Sequence, residues 1–143
     1  MENQEYTKSF WFVAKIRQLC GLRSYNAVPT VCRDCEDLEG SCGSYSSHLH
    51  RVFLGETAGK DVVWHEMCHA HQRVYLRSSE CWVYRDETPY YQRWYEKEAR
   101  AIAILCQLYL DGMEIRKGDH LRINDQGWNI KYSRSLRLRK NRI

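Results

Sequence analysis

The sequence lacks any hydrophobic run long enough to span a bilayer. The longest mainly apolar stretch among its 143 residues, Ala101 to Leu110, has ten residues, about half of what a membrane helix needs. No membrane partner is therefore expected. The basic start of a secretory signal is also missing: the chain opens Met1-Glu-Asn-Gln-Glu5, acidic and polar, which predicts a cytoplasmic protein. There is no internal repeat, and the only biased segment is the short Ser/Gly-rich stretch from Gly40 to Ser47. No helix-turn-helix or aromatic RNA-binding signature is present. Cysteine is not scarce, but its count of seven is odd, so at least one thiol stays outside any intramolecular disulfide. Without a signal sequence, reduced thiols or metal ligation are favoured over a disulfide framework.

What is present suits one folded domain. Hydrophobic residues make up 43% and aromatics 13%, enough for a chain of this length to bury roughly 70% of its unfolded surface. The net charge of +4 is unevenly spread. Residues 1–115 carry 13 Lys+Arg against 16 Asp+Glu, and residues 116–143 carry 9 against 2. An acidic body thus precedes a basic extension, either part of the same domain or a tail.

The spacing of Phe10, Val13, Ile16, Arg17 and Cys20 predicts a helix from Tyr6 to Cys20, stopped at Gly21. Ala27 to Cys32, with Pro29, suits an edge strand, Ser44 to Ser46 a second strand, and Arg51-Val-Phe-Leu54 a third. Two long helices follow. Thr57 is the expected cap of the first, which runs to about Arg77. Thr88, with Pro89 in the first helical position, is the expected cap of the second, which runs to Leu110 and stops at Gly112. Leu121-Arg-Ile123 and Trp128 to Tyr132 flank Asn124-Asp-Gln-Gly127 as a hairpin.

Inside the first long helix lies His65-Glu66-Met67-Cys68-His69, an HExxH motif. At about 100° per residue the two histidines stand about 40° apart on one face, one turn above the other. That spacing lets both imidazoles hold one zinc ion, with Glu66 beside them. Val63, Met67, Ala70 and Val74 gather on another side and can anchor the helix. A catalytic zinc commonly takes a third protein ligand, and the second helix offers Glu96 and Glu98. Glu98 falls in the middle of an apolar stripe with Tyr91, Tyr95, Ile102 and Leu105, where a carboxylate needs compensation. Zinc would supply it; an arginine such as Arg73 or Arg100 is the alternative. Glu96 points about 160° away, flanked by Ala99 and Ala103.

His65-Glu-Met-Cys-His69 followed by Tyr95-Glu-Lys-Glu-Ala99 resembles the zincin metallopeptidases, in particular the minimal gluzincin type. The resemblance implies His65, His69 and Glu98 as zinc ligands and Glu66 as the general base that activates a zinc-bound water for peptide hydrolysis. It implies a protein or peptide substrate. The implied fold is α+β: a small antiparallel or mixed sheet and an N-terminal helix, packed on the HExxH helix and on a second long helix carrying the third ligand. The domain spans 1–115, with 116–143 as the basic extension. Arg51-Val-Phe-Leu-Gly55 also resembles the zincin edge strand, which aligns substrate by strand addition. Met67-Cys-His-Ala70 is similar to the SprT/Spartan type of DNA-associated protease, whose third ligand is a histidine. Here only His71 and His120 lie downstream; His71 points about 200° from His69, and His120 lies beyond Gly112 and Gly118.

Tyr91, Tyr95, Tyr132 and His120 are unranked candidates to stabilise the oxyanion, while His50 and His71 read as packing or surface residues. Cys68 faces away from the ligands and reads as packing. Cys32, Cys35 and Cys42, with His48, have a spacing that could hold a second, structural zinc, though ordinary reduced thiols are the favoured reading. Alternating basic and apolar positions from Lys131 to Arg142 offer contact with nucleic-acid phosphates, against a solvated end or a strand with one charged face. The competing function is therefore a nucleic-acid-associated zinc-binding protein, SprT-like or catalytically inactive.

Overall fold

The computed structural model describes residues 4–35, 42–76 and 93–115 in full, and 3, 121–123, 130–132 and 137–138 by their backbone. The fold is α+β, with three helices and a small mixed three-stranded sheet. No described helix is long and apolar enough to cross a membrane.

Helix α1 (Asn3–Leu19) buries Tyr6, Phe10, Val13 and Ile16, the i, i+3, i+4 stripe of an amphipathic helix. Arg17 lies fully buried in the same stripe. The helix ends as the sequence predicts. Gly21 takes the left-handed conformation (φ +77°), its N–H reaching Gln18 O at 3.0 Å and the N–H of Leu22 reaching Arg17 O at 2.8 Å. That is the paired hydrogen-bond pattern by which a helix terminates on glycine.

The sheet order is β1 (Thr30–Cys32), β3 (Arg51–Leu54), β2 (Gly43–Ser46), with β1 parallel and β2 antiparallel to β3. Strand β3 is therefore central, which corrects its reading as the edge. Its alternating burial, with Val52 and Leu54 inward, is what the apolar run encodes; pairing on both sides follows from its place between two polar neighbours. Among the described residues β2 pairs with β3 alone, so the edge beside the motif helix is the strand Gly-Ser-Tyr-Ser.

Helix α2 (Lys60–Gln72) begins two residues later than a Thr57 cap requires, with Gly59 as N-cap. Residues 55–58 form a turn closed by Ala58 N–H on Gly55 O, and the Thr57 hydroxyl lies 3.5 Å from Cys42 Sγ, so it does not cap. Helix α3 (Trp94–Leu110) starts at an Arg93 N-cap whose extended backbone (ψ 138°) breaks the helix expected to run from Pro89, so it begins later than predicted. Thr88 and Pro89 themselves lie outside the described residues, and its end at Gly112 (φ +99°) is as expected. Phe10, Ile16, Val52, Met67, Ile102 and Leu105 are fully buried members of one core shared by the helices and the sheet. Beyond α3, strand β4 (Met113–Glu114) pairs with β7 (Arg137–Leu138), and β5 (Leu121–Ile123) pairs with β6 (Ile130–Tyr132) as the predicted hairpin. Strand pairing thus crosses the boundary drawn at residue 115, and part of the basic extension is strand.

His71 is a packing residue. Its ring stacks on Phe10 at 3.9 Å between centroids, Nε2 donates to Phe10 O at 2.8 Å, and Nδ1 accepts from Tyr25 N–H at 3.2 Å. Burial pushes its pKa down to about 3, and the Arg17 charge works in the same direction. Between pH 6.5 and 3 the unfolded chain binds a proton that the folded chain refuses, so stability falls as pH falls through that window. Lowering pH from 6.5 to 5 should cost about 2 kcal/mol at this residue. His71→Gln, which can still donate and accept, should flatten that part of the slope in urea unfolding. An unchanged slope would remove the buried neutral imidazole from the explanation.

Candidate metal centre

The HExxH spacing places its histidines as helical geometry requires. His65 and His69 stand one turn apart on α2, with ring centroids 4.8 Å apart and Nε2 atoms 3.2 Å apart. The carboxylate that meets them comes from the first turn of α3 and belongs to Glu96. Its Oε1 lies 3.0 Å from His65 Nε2 and its Oε2 lies 3.0 Å from His69 Nε2. These three side chains are the group of possible metal ligands found among the described residues. Zinc bound at 2.0–2.1 Å by tetrahedral N and O ligands sets those ligands about 3.3 Å apart; the two imidazole nitrogens stand 3.2 Å apart, and each has a different Glu96 oxygen 3.0 Å away.

Glu98, the expected third ligand, is not brought to the histidines. It faces α1, where Arg17 Nη1 donates to its Oε1 at 2.6 Å; Tyr75 OH and Gln72 Nε2 donate to the same oxygen at 3.2 Å. A carboxylate in an apolar stripe did need compensation, and the compensating charge is Arg17 rather than a metal, Arg73 or Arg100. Arg73 turns instead to Ser47 O and the Tyr25 ring. Glu96 is reached because Ala99 and Ala103 follow it on the same buried face, small enough for α3 to lie close against α2.

The electrostatics follow from burial. Glu96 is only 2% exposed, and burial opposes its charge, yet the hydrogen bonds to His65 and His69 hold its carboxyl well below the usual range. For His69 burial disfavours the imidazolium, but the hydrogen bond and charge of Glu96, with Glu66 adding, push it up to about 9. Glu66 is buried beside them, and burial raises its pKa against the opposing pull of both histidines.

Strand β2 closes over Glu66 at Gly43. A Cβ there would stand 2.6 Å from Val62 Cγ1 and 3.1 Å from Glu66 Cγ, so only glycine lets the strand come this near. The groove between β2, α2 and α3 is a cleft of about 570 Å³. His65 and Glu66 lie on its floor, with Ala103, Ile104 and Leu108 along one wall.

Of the oxyanion candidates, Tyr95 lies near His69 (6.1 Å between centroids), but its hydroxyl accepts from Arg93 Nη1 at 3.4 Å. Tyr91 and His120 lie outside the described residues, and Tyr132 is described by backbone alone. Cys32 and Cys35 approach to 3.5 Å between sulfurs, but among the described residues neither Cys42 nor His48 joins them in a metal-sized group. His50 is bound to Tyr45 OH and Ala27 O, a packing role. Cys68 is buried, its thiol pushed up to about 12 by burial, and it accepts from Arg17 at 3.1 Å.

No family model, curated protein or solved structure matches this chain.

Sequence reasoning named Glu96 but preferred Glu98, and it missed Gln72 and the partner of Arg17. The signal for the last was present: Arg17 and Glu98 are opposite charges, each set in an apolar helical stripe.

Proposed function

We propose that the chain is a zinc-dependent metallopeptidase of the zincin type. Its ligands are His65, His69 and Glu96, and its general base is Glu66. The observation that carries this reading is the triangle of two imidazole nitrogens and a buried carboxylate with a second buried carboxylate beside it, opening on a cleft along a strand edge. A structural site needs no such base next to its ligands.

When bound there, zinc supplies Lewis acidity toward a carbonyl and acidifies water. Glu66 takes up the proton of the attacking water and delivers it to the leaving amine. Its buried position, which raises its pKa, brings proton uptake and release nearer neutral pH. Among the described residues β2 pairs with β3 alone, and its other side lies along the cleft where an extended peptide would run.

Purified protein should carry one zinc per chain and cleave an unfolded protein such as casein, with activity removed by a chelator and restored by zinc. Glu96→Ala should lose zinc by more than the roughly 10- to 100-fold cost of an outer-sphere change, while Glu98→Ala should lose no more affinity than that and still take up one zinc per chain. Equal zinc retention by both variants, or cleavage indifferent to chelation, would overturn the reading.

A further inference from the structure

The side chain three residues past His69 is as buried as the core and is used at both ends. Gln72 is fully buried. Its Nε2 donates to Tyr95 O at 2.9 Å and to Glu98 Oε1 at 3.2 Å, and its Oε1 lies 2.7 Å from His69 Nδ1. The two partners on the nitrogen side are acceptors, a backbone carbonyl and a carboxylate. They use both amide hydrogens and leave the amide oxygen toward His69. An oxygen there can only accept, so Nδ1 carries a proton, and Nε2, which without a metal donates to Glu96 Oε2 at 3.0 Å, is the nitrogen left to give up its proton to an ion.

The orientation of Gln72 is anchored in turn. Glu98 is held as a carboxylate by Arg17 at 2.6 Å, and the Arg17 guanidinium is fixed by Nε and Nη2 donating to Arg23 O at 2.9 and 2.7 Å and by Nη1 on Cys68 Sγ. Tyr95 is the residue before Glu96, so the same amide also holds the backbone that presents the carboxylate.

We propose that Gln72, aimed by Glu98 and Arg17, is a positioning residue that fixes the ring of His69 with Nε2 turned into the metal centre and ties that ring to the first turn of α3. This inference rests on the metal reading above. It adds that the chain from the end of α1 to His69 sets how tightly the centre holds its ion.

The test is zinc affinity by competition with a chelating dye, on the full chain, for wild type, Gln72→Leu and Gln72→Glu. Gln72→Leu should weaken zinc binding about 10- to 100-fold, and Gln72→Glu, which still accepts from Nδ1–H, should stay within about threefold of wild type. Because its new carboxylate faces Glu98, Gln72→Glu should nevertheless melt at a lower temperature. A purely structural role would order affinity by melting temperature, and that order, or Gln72→Leu within threefold of wild type, overturns the proposal. If Gln72→Leu does not fold, the nitrogen-15 spectrum of the zinc-loaded wild-type histidines decides: His69 should show a protonated Nδ1, and coordination through Nδ1 overturns the proposal. A wild-type chain that takes up no zinc overturns the metal reading itself, whereas uptake indifferent to Gln72 overturns only the positioning role.

Discussion

Glu66→Gln is expected to keep its zinc, keep its fold and lose peptide cleavage by about 100- to 10,000-fold, the range general acid–base groups contribute. The substitution preserves shape beside Val62 and Gly43, where the side chain has no spare room. It removes only the ability to take a proton from water and return it to the amine. Stability should not fall, because burial disfavours the carboxylate in the first place and a neutral amide meets no such penalty. Zinc content, thermal melting and kcat/KM on one peptide check the three statements together. Cleavage within tenfold of wild type, with zinc in place, would remove Glu66 from the mechanism.

The second large effect is on stability. Glu98→Leu should cost about 3–5 kcal/mol in urea unfolding, because it strands the Arg17 guanidinium without its counter-charge in a fully buried position. Zinc stoichiometry should survive the change, since Glu98 is on the α1 side of the helix and Glu96 meets the histidines. Adding Arg17→Met to Glu98→Leu should recover part of the loss, as replacing both members of a buried pair is often near neutral. The recovery stays incomplete because Arg17 also satisfies Arg23 O. A single substitution costing under about 1 kcal/mol, the level of an exposed pair, would contradict the buried-pair account.

The motif helix and β3 could be read from the residues because each has one dominant local signal. His65 and His69 repeat at the helical period, and Arg51 to Leu54 alternates inward and outward over four residues that the structure reproduces as a strand. Helix starts were less legible. Thr57 has the right side chain for a cap, but a turn over 55–58 consumes it, and turns of that kind depend on where the neighbouring strand lies. The choice between Glu96 and Glu98 failed for a related reason. Glu98 as ligand requires the apolar stripe of α3 to face α2, whereas the helix is buried over a wide arc: Tyr95, Glu96, Ala99 and Ala103 are buried, and so are Ile102 and Leu105. When two faces of a helix are both covered, hydrophobicity does not say which neighbour covers which. Small residues do, and Ala99 with Ala103 marked the close helix contact.

The four-residue edge of β2 limits how a peptide could be held. The N–H of Gly55 donates to Cys42 O, and alternation along an antiparallel ladder then turns the backbone groups of Gly43 and Tyr45 outward. A strand of four residues gives an arriving peptide a few backbone hydrogen bonds at most, each worth roughly 0.5–1.5 kcal/mol net. That total only matches the 4 kcal/mol or more that association costs in lost freedom. An arriving strand would therefore be aligned by β2 but not retained by it. Residence would fall to the side chains that settle against Ile104 and Leu108, so the apolar wall, rather than the ladder, would govern how long a substrate stays.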